Sequence, residues 1–465
     1  MRRTLIAVTT VAALAVGYGV ADAYDRVPGV LTIDEGVTEE APAEPDAAPV
    51  LPAASEDAPV PTKAGLTKAI RDDATDPAIG DRVGVVVRDA LTGDVLYSRG
   101  EDRAQKPAST AKLLTAAAVA ERADLSETMR TKVVADGDEL VLVASGDTML
   151  AAGEGDPTAV EGRAGLRDLA EEVADSLGTK GESADLSLRL DATYAAGERY
   201  PSTWNMADVA DGYTQGVAMI GLAGDRPRPG DASPKVPERK VLKTFGKELK
   251  KAGVDVDVDE SSQEWQTSAP EDAEELGAVE SAPLGDVLVL ALDDSDNALT
   301  ENVARQAALA DGADATTAKE VAAWVRQSLE DAGVDMTGVT LRDNSGLSGG
   351  QAVPARVVSD VMQLGITGSA QPMTTILAEL PVAGLTGTLH DRFLDAESRS
   401  AAGIARAKTG TLTGTSALAG TTTTEDGRLL TYVILADRVP MTTGTMGARA
   451  VLDRMVADLT ACGCR

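Results

Sequence analysis

The stretch from Pro107 to Ala123, Pro-Ala-Ser109-Thr-Ala-Lys112-Leu-Leu-Thr-Ala-Ala-Ala-Val-Ala-Glu-Arg-Ala, decides how the rest of this 465-residue chain is read. Pro107 precedes a run rich in Ala and Leu, so the composition predicts a helix over Ser109–Ala123 with Ser109 and Lys112 in its first turn. Residues three apart on a helix share a face, which brings the hydroxyl and the amine into one cleft. The helix N-terminus favours negative charge developing on the serine oxygen. A serine is a weak nucleophile without an adjacent base. The chain has one histidine, His390, so Lys112 is the available base, provided burial or a second cation keeps its amine neutral.

Working outward, Arg82–Asp89 is a β-branched run, Thr92-Gly93-Asp94 supplies a turn, and Val95–Ser98 resumes the strand pattern as a hairpin. Near the other end, Ala405–Thr413 and Ser416–Thr424 are strand candidates. The turn Glu425-Asp426-Gly427 leads to a third, Arg428–Ala436, and Thr445–Thr460 reads as an amphipathic helix. Strands at both ends with helices between them predict an α+β body whose sheet joins the two ends of the chain. Residues 128–283 differ in texture, with Gly-Asp steps at 146–147 and 155–156 and a Pro-rich piece from Pro227 to Pro237. They are expected to form an insertion between 64–127 and 284–465.

Two further patterns belong with the first. Ser295-Asp296-Asn297 offers a hydroxyl and a carboxamide at alternating positions, so both can face one pocket from a loop. Lys408-Thr409-Gly410-Thr411 falls in a predicted strand, where Lys408 and Gly410 face one way and Thr409 and Thr411 the other. Glycine at position 410 would let a substrate backbone approach closely. Serine-x-x-lysine, serine-aspartate-asparagine and lysine-threonine-glycine, each once and in this order, form the signature of penicillin-binding proteins and class A β-lactamases.

Within that group the chain resembles the D-alanyl-D-alanine carboxypeptidase/endopeptidase family with a large insertion, the low-molecular-mass class C penicillin-binding proteins. The gap between Ser109 and Ser295 is far longer than a compact β-lactamase leaves there. Gly153-Glu154-Gly155-Asp156-Pro157, Asp343-Asn344-Ser345-Gly346-Leu347-Ser348 and Leu380-Pro381-Val382-Ala383-Gly384, running to Gly387-Thr388-Leu389, resemble the family in turn. The resemblance covers residues 64–465. It implies a β-lactamase/transpeptidase-like domain, an antiparallel sheet flanked by helices, that needs no cofactor or metal.

The resemblance also implies roles. Ser109 would attack the carbonyl between the last two D-alanines of a peptidoglycan stem peptide, with Lys112 taking its proton. Ser295, bridging toward Lys112 and Lys408, would relay that proton to the leaving amine, and Asn297 would hold the substrate amide. Lys408 adds positive charge while Thr409 and Thr411 bind the terminal carboxylate. The backbone N–H groups of Ser109 and Thr411 would form the oxyanion hole. β-Lactams would acylate the same serine. In Trp204-x-x-x-Asp208-x-x-x-x-Tyr213, Asp208 matches a family segment that pairs with a free amine of the stem; Ser345 and Leu347 resemble pocket-wall residues. Asp208 on a solvated acidic face, and a plain tight turn at Gly346, are the structural alternatives.

Composition bounds the reading from outside. A formal charge of −31 repels phosphate backbones and anionic lipid faces, which argues against a nucleic-acid partner. One histidine and two cysteines, Cys462 and Cys464, cannot build a multi-histidine metal site, and the two cysteines are too closely spaced for an easy disulfide. Trp265 and Trp324 are expected to be packing residues, and His390 structural or exposed. Arg2 and Arg3 precede an uncharged run from Thr4 to Ala21, so residues 1–23 read as an export signal, cleaved near Ala21-Asp22-Ala23 or kept as an anchor. Residues 24–63, rich in Pro, Ala and acids, read as a tether, and any membrane contact runs through this end alone, with the body on the cell-wall side. Two competing functions are a serine β-lactamase-like hydrolase and a catalytically silent cell-wall scaffold. Against the first, the chain has no glutamate-x-x-leucine-asparagine stretch between Asn297 and Lys408; against the second, all the inferred catalytic side chains are present.

Overall fold

The apolar run near the C-terminus forms the strand Leu429–Asp437, which lies at the centre of a five-stranded antiparallel sheet. In order across the sheet the strands are Arg406–Leu412, Thr415–Thr423, Leu429–Asp437, Arg82–Asp89 and Val95–Arg99. The architecture comes from a computed structural model, which describes residues 54–178, 186–258, 265–367 and 371–464. The expected export segment and most of the expected tether lie outside the described residues. Among those described, no helix is long and apolar enough to cross a membrane.

Side chains alternate across this sheet, and both faces are buried. Val85, Val87, Tyr432, Ile434 and Ala436 meet the helices Lys63–Ala74 and Gly444–Thr460 on one side. Val86, Val433 and Leu435 meet the helices Lys112–Arg122 and Ala355–Thr367 on the other. A strand covered on both faces has to be apolar at successive positions, which is why 429–436 reads as a nearly continuous hydrophobic run. Each Val, Leu or Ile fully buried there contributes about 1.5–3 kcal/mol.

A second sheet is built wholly from residues between 128 and 283. Its order is Val256–Asp257, Leu186–Asp191, Glu139–Val143, Thr128–Asp136 and Glu274–Pro283. Two of its pairings are parallel and two antiparallel. Leu142, Leu188 and Leu190 share a core with Val173 of the helix Leu166–Leu177 and Phe245 of the helix Pro237–Lys251. Trp265 joins this core and Trp324 the helical side of the main sheet. Both sheets belong to one compact unit, Ala53–Arg465.

Two local expectations change. The predicted Ser109–Ala123 helix is a 3₁₀ turn over Ala108–Ala111 followed by an α-helix from Lys112 to Arg122. Cys462 and Cys464 are joined in a disulfide, because the chain bends at Gly463 enough to bring their Cα atoms to 5.0 Å, inside the range that a disulfide spans.

Candidate active site

The turn that carries Ser109 is approached closely by two glycines from two other motifs. Ala108 adopts φ +46°, a left-handed conformation that costs a non-glycine residue about 1–3 kcal/mol and has to be held by its surroundings. Gly346, at φ +88°, lies so close that a Cβ on it would sit 2.0 Å from the Ala108 carbonyl oxygen. From the other side a Cβ on Gly410 would lie 2.9 Å from the Pro107 oxygen. Glycine at 410 therefore allows the close approach of the turn itself. The Thr110 hydroxyl donates to the Pro107 carbonyl at 2.6 Å and closes the turn. In a 3₁₀ turn residues three apart eclipse, so Ser109 Oγ and Lys112 Nζ meet at 3.1 Å.

Lys112 is fully buried, and its amine donates to three oxygens: Ser109 Oγ, Asn297 Oδ1 at 2.6 Å and the Ser345 carbonyl at 2.8 Å. Burial lowers its pKa to about 8, against the pull of Asp343, Asp296 and Glu301 toward the charged form. The Ser345 carbonyl is itself fixed. Asp343 accepts from the backbone N–H groups of Ser345, Gly346 and Ser348, and from the Trp204 indole at 2.8 Å. Glu301 accepts from the backbone and side-chain amides of Asn344, whose carbonyl accepts from the Thr115 hydroxyl. Burial, then the Asp343 charge, pushes the Glu301 carboxyl up to about 8.

The second motif is not a loop pair. Asp296 caps the helix Asn297–Ala310, accepting from the Leu299 N–H at 3.0 Å, so Asn297 is the first helical residue. Its carboxamide is engaged at both ends, accepting from Lys112 and donating to the Tyr213 carbonyl at 3.1 Å. Ser295 has φ +58° and sits on the cleft wall. Lys112 and Lys408 donate to other acceptors, so the expected bridge through the Ser295 hydroxyl is not formed. Lys408 is also fully buried and donates to the Thr409 carbonyl at 3.0 Å. Burial first, then the Lys112 charge, lowers its pKa well below that of a free lysine, while Asp293 and Asp294 oppose the shift.

These groups border a cleft of about 910 Å³. Ser109, Ser295, Asn297, Thr409 and Thr411 line it, as do Leu347 and Asp208. Asp208 belongs to the short helix Met206–Ala210, and partial burial, then the Asp211 charge, raises its pKa. Lys112, Lys408, Gly410 and Ser345 stand behind the wall. Ser345 was expected to line the pocket; it is buried instead because its carbonyl is needed under Lys112. His390 is exposed, with Nδ1 2.9 Å from the Gly387 carbonyl. Sequence reasoning missed Glu301 and Arg226. Glu301 stands one helical turn after Asn297, a spacing that signals a shared face.

A both-face-covered antiparallel sheet, with a serine and a lysine in contact beside its edge strand, is a fold of the β-lactamase/transpeptidase-like class. Penicillin-binding protein 4 of Haemophilus influenzae shares this fold, with a TM-score of 0.63 over 85% of this chain and 98% of that one, at 16% identity. The chain belongs to the D-Ala-D-Ala carboxypeptidase 3 (S13) family, whose model matches residues 66–226 and 226–460, and it is a serine-type D-Ala-D-Ala carboxypeptidase. It is 34% identical to a carboxypeptidase of Mycobacterium tuberculosis over 91% of this chain and 90% of that protein. Carboxypeptidase DacB of Mycolicibacterium smegmatis is 33% identical, with 99% and 95% covered. The D-alanyl-D-alanine carboxypeptidase of an Actinomadura species is 31% identical, with 77% and 78% covered.

Proposed function

We propose that Ser109 is the nucleophile and Lys112 the base of a D,D-peptidase acting on peptidoglycan stem peptides. The observation that carries this is the 3.1 Å contact between Ser109 Oγ and a fully buried Lys112 whose pKa is lowered to about 8. Ser109 Oγ adds to the carbonyl carbon of the penultimate D-alanine while Lys112 takes the hydroxyl proton. The bond to the terminal D-alanine nitrogen then breaks as Ser295 relays the proton held by Lys112, giving its own hydroxyl proton to that nitrogen and regaining one from the lysine, and an acyl-enzyme remains. The N–H groups of Ser109 and Thr411 hold the oxyanion. Thr409 and Thr411 take the terminal carboxylate beside Lys408, and Asn297 turns from Lys112 toward the substrate amide. Water finally cleaves the ester. Asp208 pairs with a stem amine, with Leu347 and the turn of Ser345 as the neighbouring wall.

β-Lactams acylate the same serine. Residues 1–23 export the chain as a cleaved signal or an anchor, 24–63 tether the body on the cell-wall side, and 128–283 form an insertion in the peptidase domain 64–127 plus 284–465. The charge flank and apolar run at the N-terminus support export. The test is to incubate the protein with purified muropeptides and follow products by mass spectrometry, alongside Ser109→Ala and a penicillin-treated sample. Release of D-alanine, or of cross-linked chains for endopeptidase action, is expected from the untreated protein alone. No loss of D-alanine and no cross-link cleavage would overturn the proposal.

A further inference from the structure

Arg226 immediately precedes the Pro-rich piece of the 128–283 region, yet its guanidinium reaches the second motif. Nε and Nη2 donate to Asp296 Oδ2 at 3.2 and 3.1 Å, Nη2 stands 3.0 Å from Asp294 Oδ2, and Nη1 binds Glu161. Asp294 and Asp296 are the two chain neighbours of Ser295, so one guanidinium holds both sides of that serine. Between them Ser295 keeps φ +58°, a conformation that persists only when its surroundings impose it. The guanidinium side chain is 10% exposed and that of Asp296 4%, which makes this a shielded pair and not a solvated surface contact. Burial opposes the arginine's charge, but Asp296, Glu161 and Asp294 more than offset it and raise its pKa. Asp225, the preceding residue, pairs with Lys240 of the Pro237–Lys251 helix, which anchors the segment at its other end.

We propose that Arg226 is a positioning residue that holds Ser295 in the cleft and shields Lys112 from the Asp296 charge, so that the 128–283 region completes the catalytic geometry. This rests on the role of Ser109 and Lys112 proposed above. Two functions are carried by separate oxygens of Asp296. Oδ1 caps the Asn297–Ala310 helix, and Oδ2 takes the arginine. Asp296→Asn keeps an oxygen for the cap and puts an N–H₂ group against the guanidinium, so it breaks the second contact while sparing the first.

The groups facing Lys112 are Asp296 and Glu301 from the Asn297–Ala310 helix and its cap, Asp343 from the turn, and Lys408 from the strand. Arg226→Gln leaves Asp296 unneutralised, which favours protonated Lys112 and moves the acid limb of the acylation rate to higher pH. Asp296→Asn removes that carboxylate and moves the limb to lower pH. A role in stability alone gives no such opposition of sign.

The experiment follows acylation of the full chain by a fluorescent penicillin against pH, in wild type and in Arg226→Gln, Arg226→Lys and Asp296→Asn. Both charge-removing variants are expected to slow acylation on the order of 10- to 100-fold, the cost of misplacing a reacting group by about 1 Å. Arg226→Lys is expected to recover part of the rate and return the acid limb toward wild type. Rates within about twofold of wild type, or acid limbs moving in the same direction, would overturn the inference; should Arg226→Gln fail to fold, an unchanged rate in Asp296→Asn overturns it alone. Wild type that is not acylated at Ser109 would instead overturn the functional reading, and this inference with it.

Discussion

Lys112 and Lys408 are equally buried, yet the protein holds them in opposite ways. Lys112 has three oxygen acceptors, one of them on a turn that Asp343 and Glu301 fix in turn. Lys408 has one, the carbonyl of the next residue in its own strand. Asp343 and Asp296, and Glu301 when ionised, pull Lys112 toward charge, whereas Lys408 feels the like charge of Lys112 as the largest influence after burial. The position of Lys112 is therefore imposed by the fold, which suits the role of base proposed for it. Lys408, by contrast, is poised to respond to charge if the proposed substrate binds beside it. A carboxylate arriving at Thr409 and Thr411 would favour its charged form.

The contrast can be broken at either lysine. Replacing Lys112 by Arg keeps a cation but removes any accessible neutral form, so acylation of Ser109 is expected to fall by about 10³–10⁴-fold in stopped-flow measurements. A fall of less than tenfold would move the base elsewhere. Lys408→Ala is expected to cost about 10²-fold on a peptide with a free terminal carboxylate, and less than about tenfold on its amide. Equal losses on both would show that Lys408 acts on the serine and not on the carboxylate.

Smaller effects sharpen the same picture. In Glu301→Gln the acid limb of acylation is expected to move to lower pH by less than about one unit, since this carboxyl is already pushed up to about 8 and is largely protonated near neutrality. A shift of two units would mean that Glu301 is ionised beneath Lys112. Reducing the Cys462–Cys464 bond is expected to leave acylation unchanged and to lower unfolding free energy by about 1–2 kcal/mol at most, because the loop it closes is very short. Denaturant melts with and without reductant check this.

The main sheet was legible because its signals are local. Both halves of the hairpin and all three C-terminal strands are β-branched, apolar or Thr- and Ala-rich runs, and each boundary falls within about two residues of the expected one. The three motifs were legible for the same reason, as residues adjacent in the chain. What escaped is the layer beneath them. The Thr115 hydroxyl reaches Asn344, and the Trp204 indole reaches Asp343, across long sequence separations that no short pattern encodes. The left-handed Ala108 escaped too, since it is imposed by Gly346 and Gly410 from elsewhere in the chain and not by its own propensity.

The central claim is that a buried, neutral Lys112 activates Ser109. The most direct test is the second-order rate of Ser109 acylation by penicillin across roughly pH 5 to 10, with the acylated residue located by peptide mass spectrometry. Label on Ser109 is expected, with a rate rising about tenfold per pH unit and levelling near pH 8, where Lys112 loses its proton. A rate independent of pH across that range, or label on another residue, would contradict it.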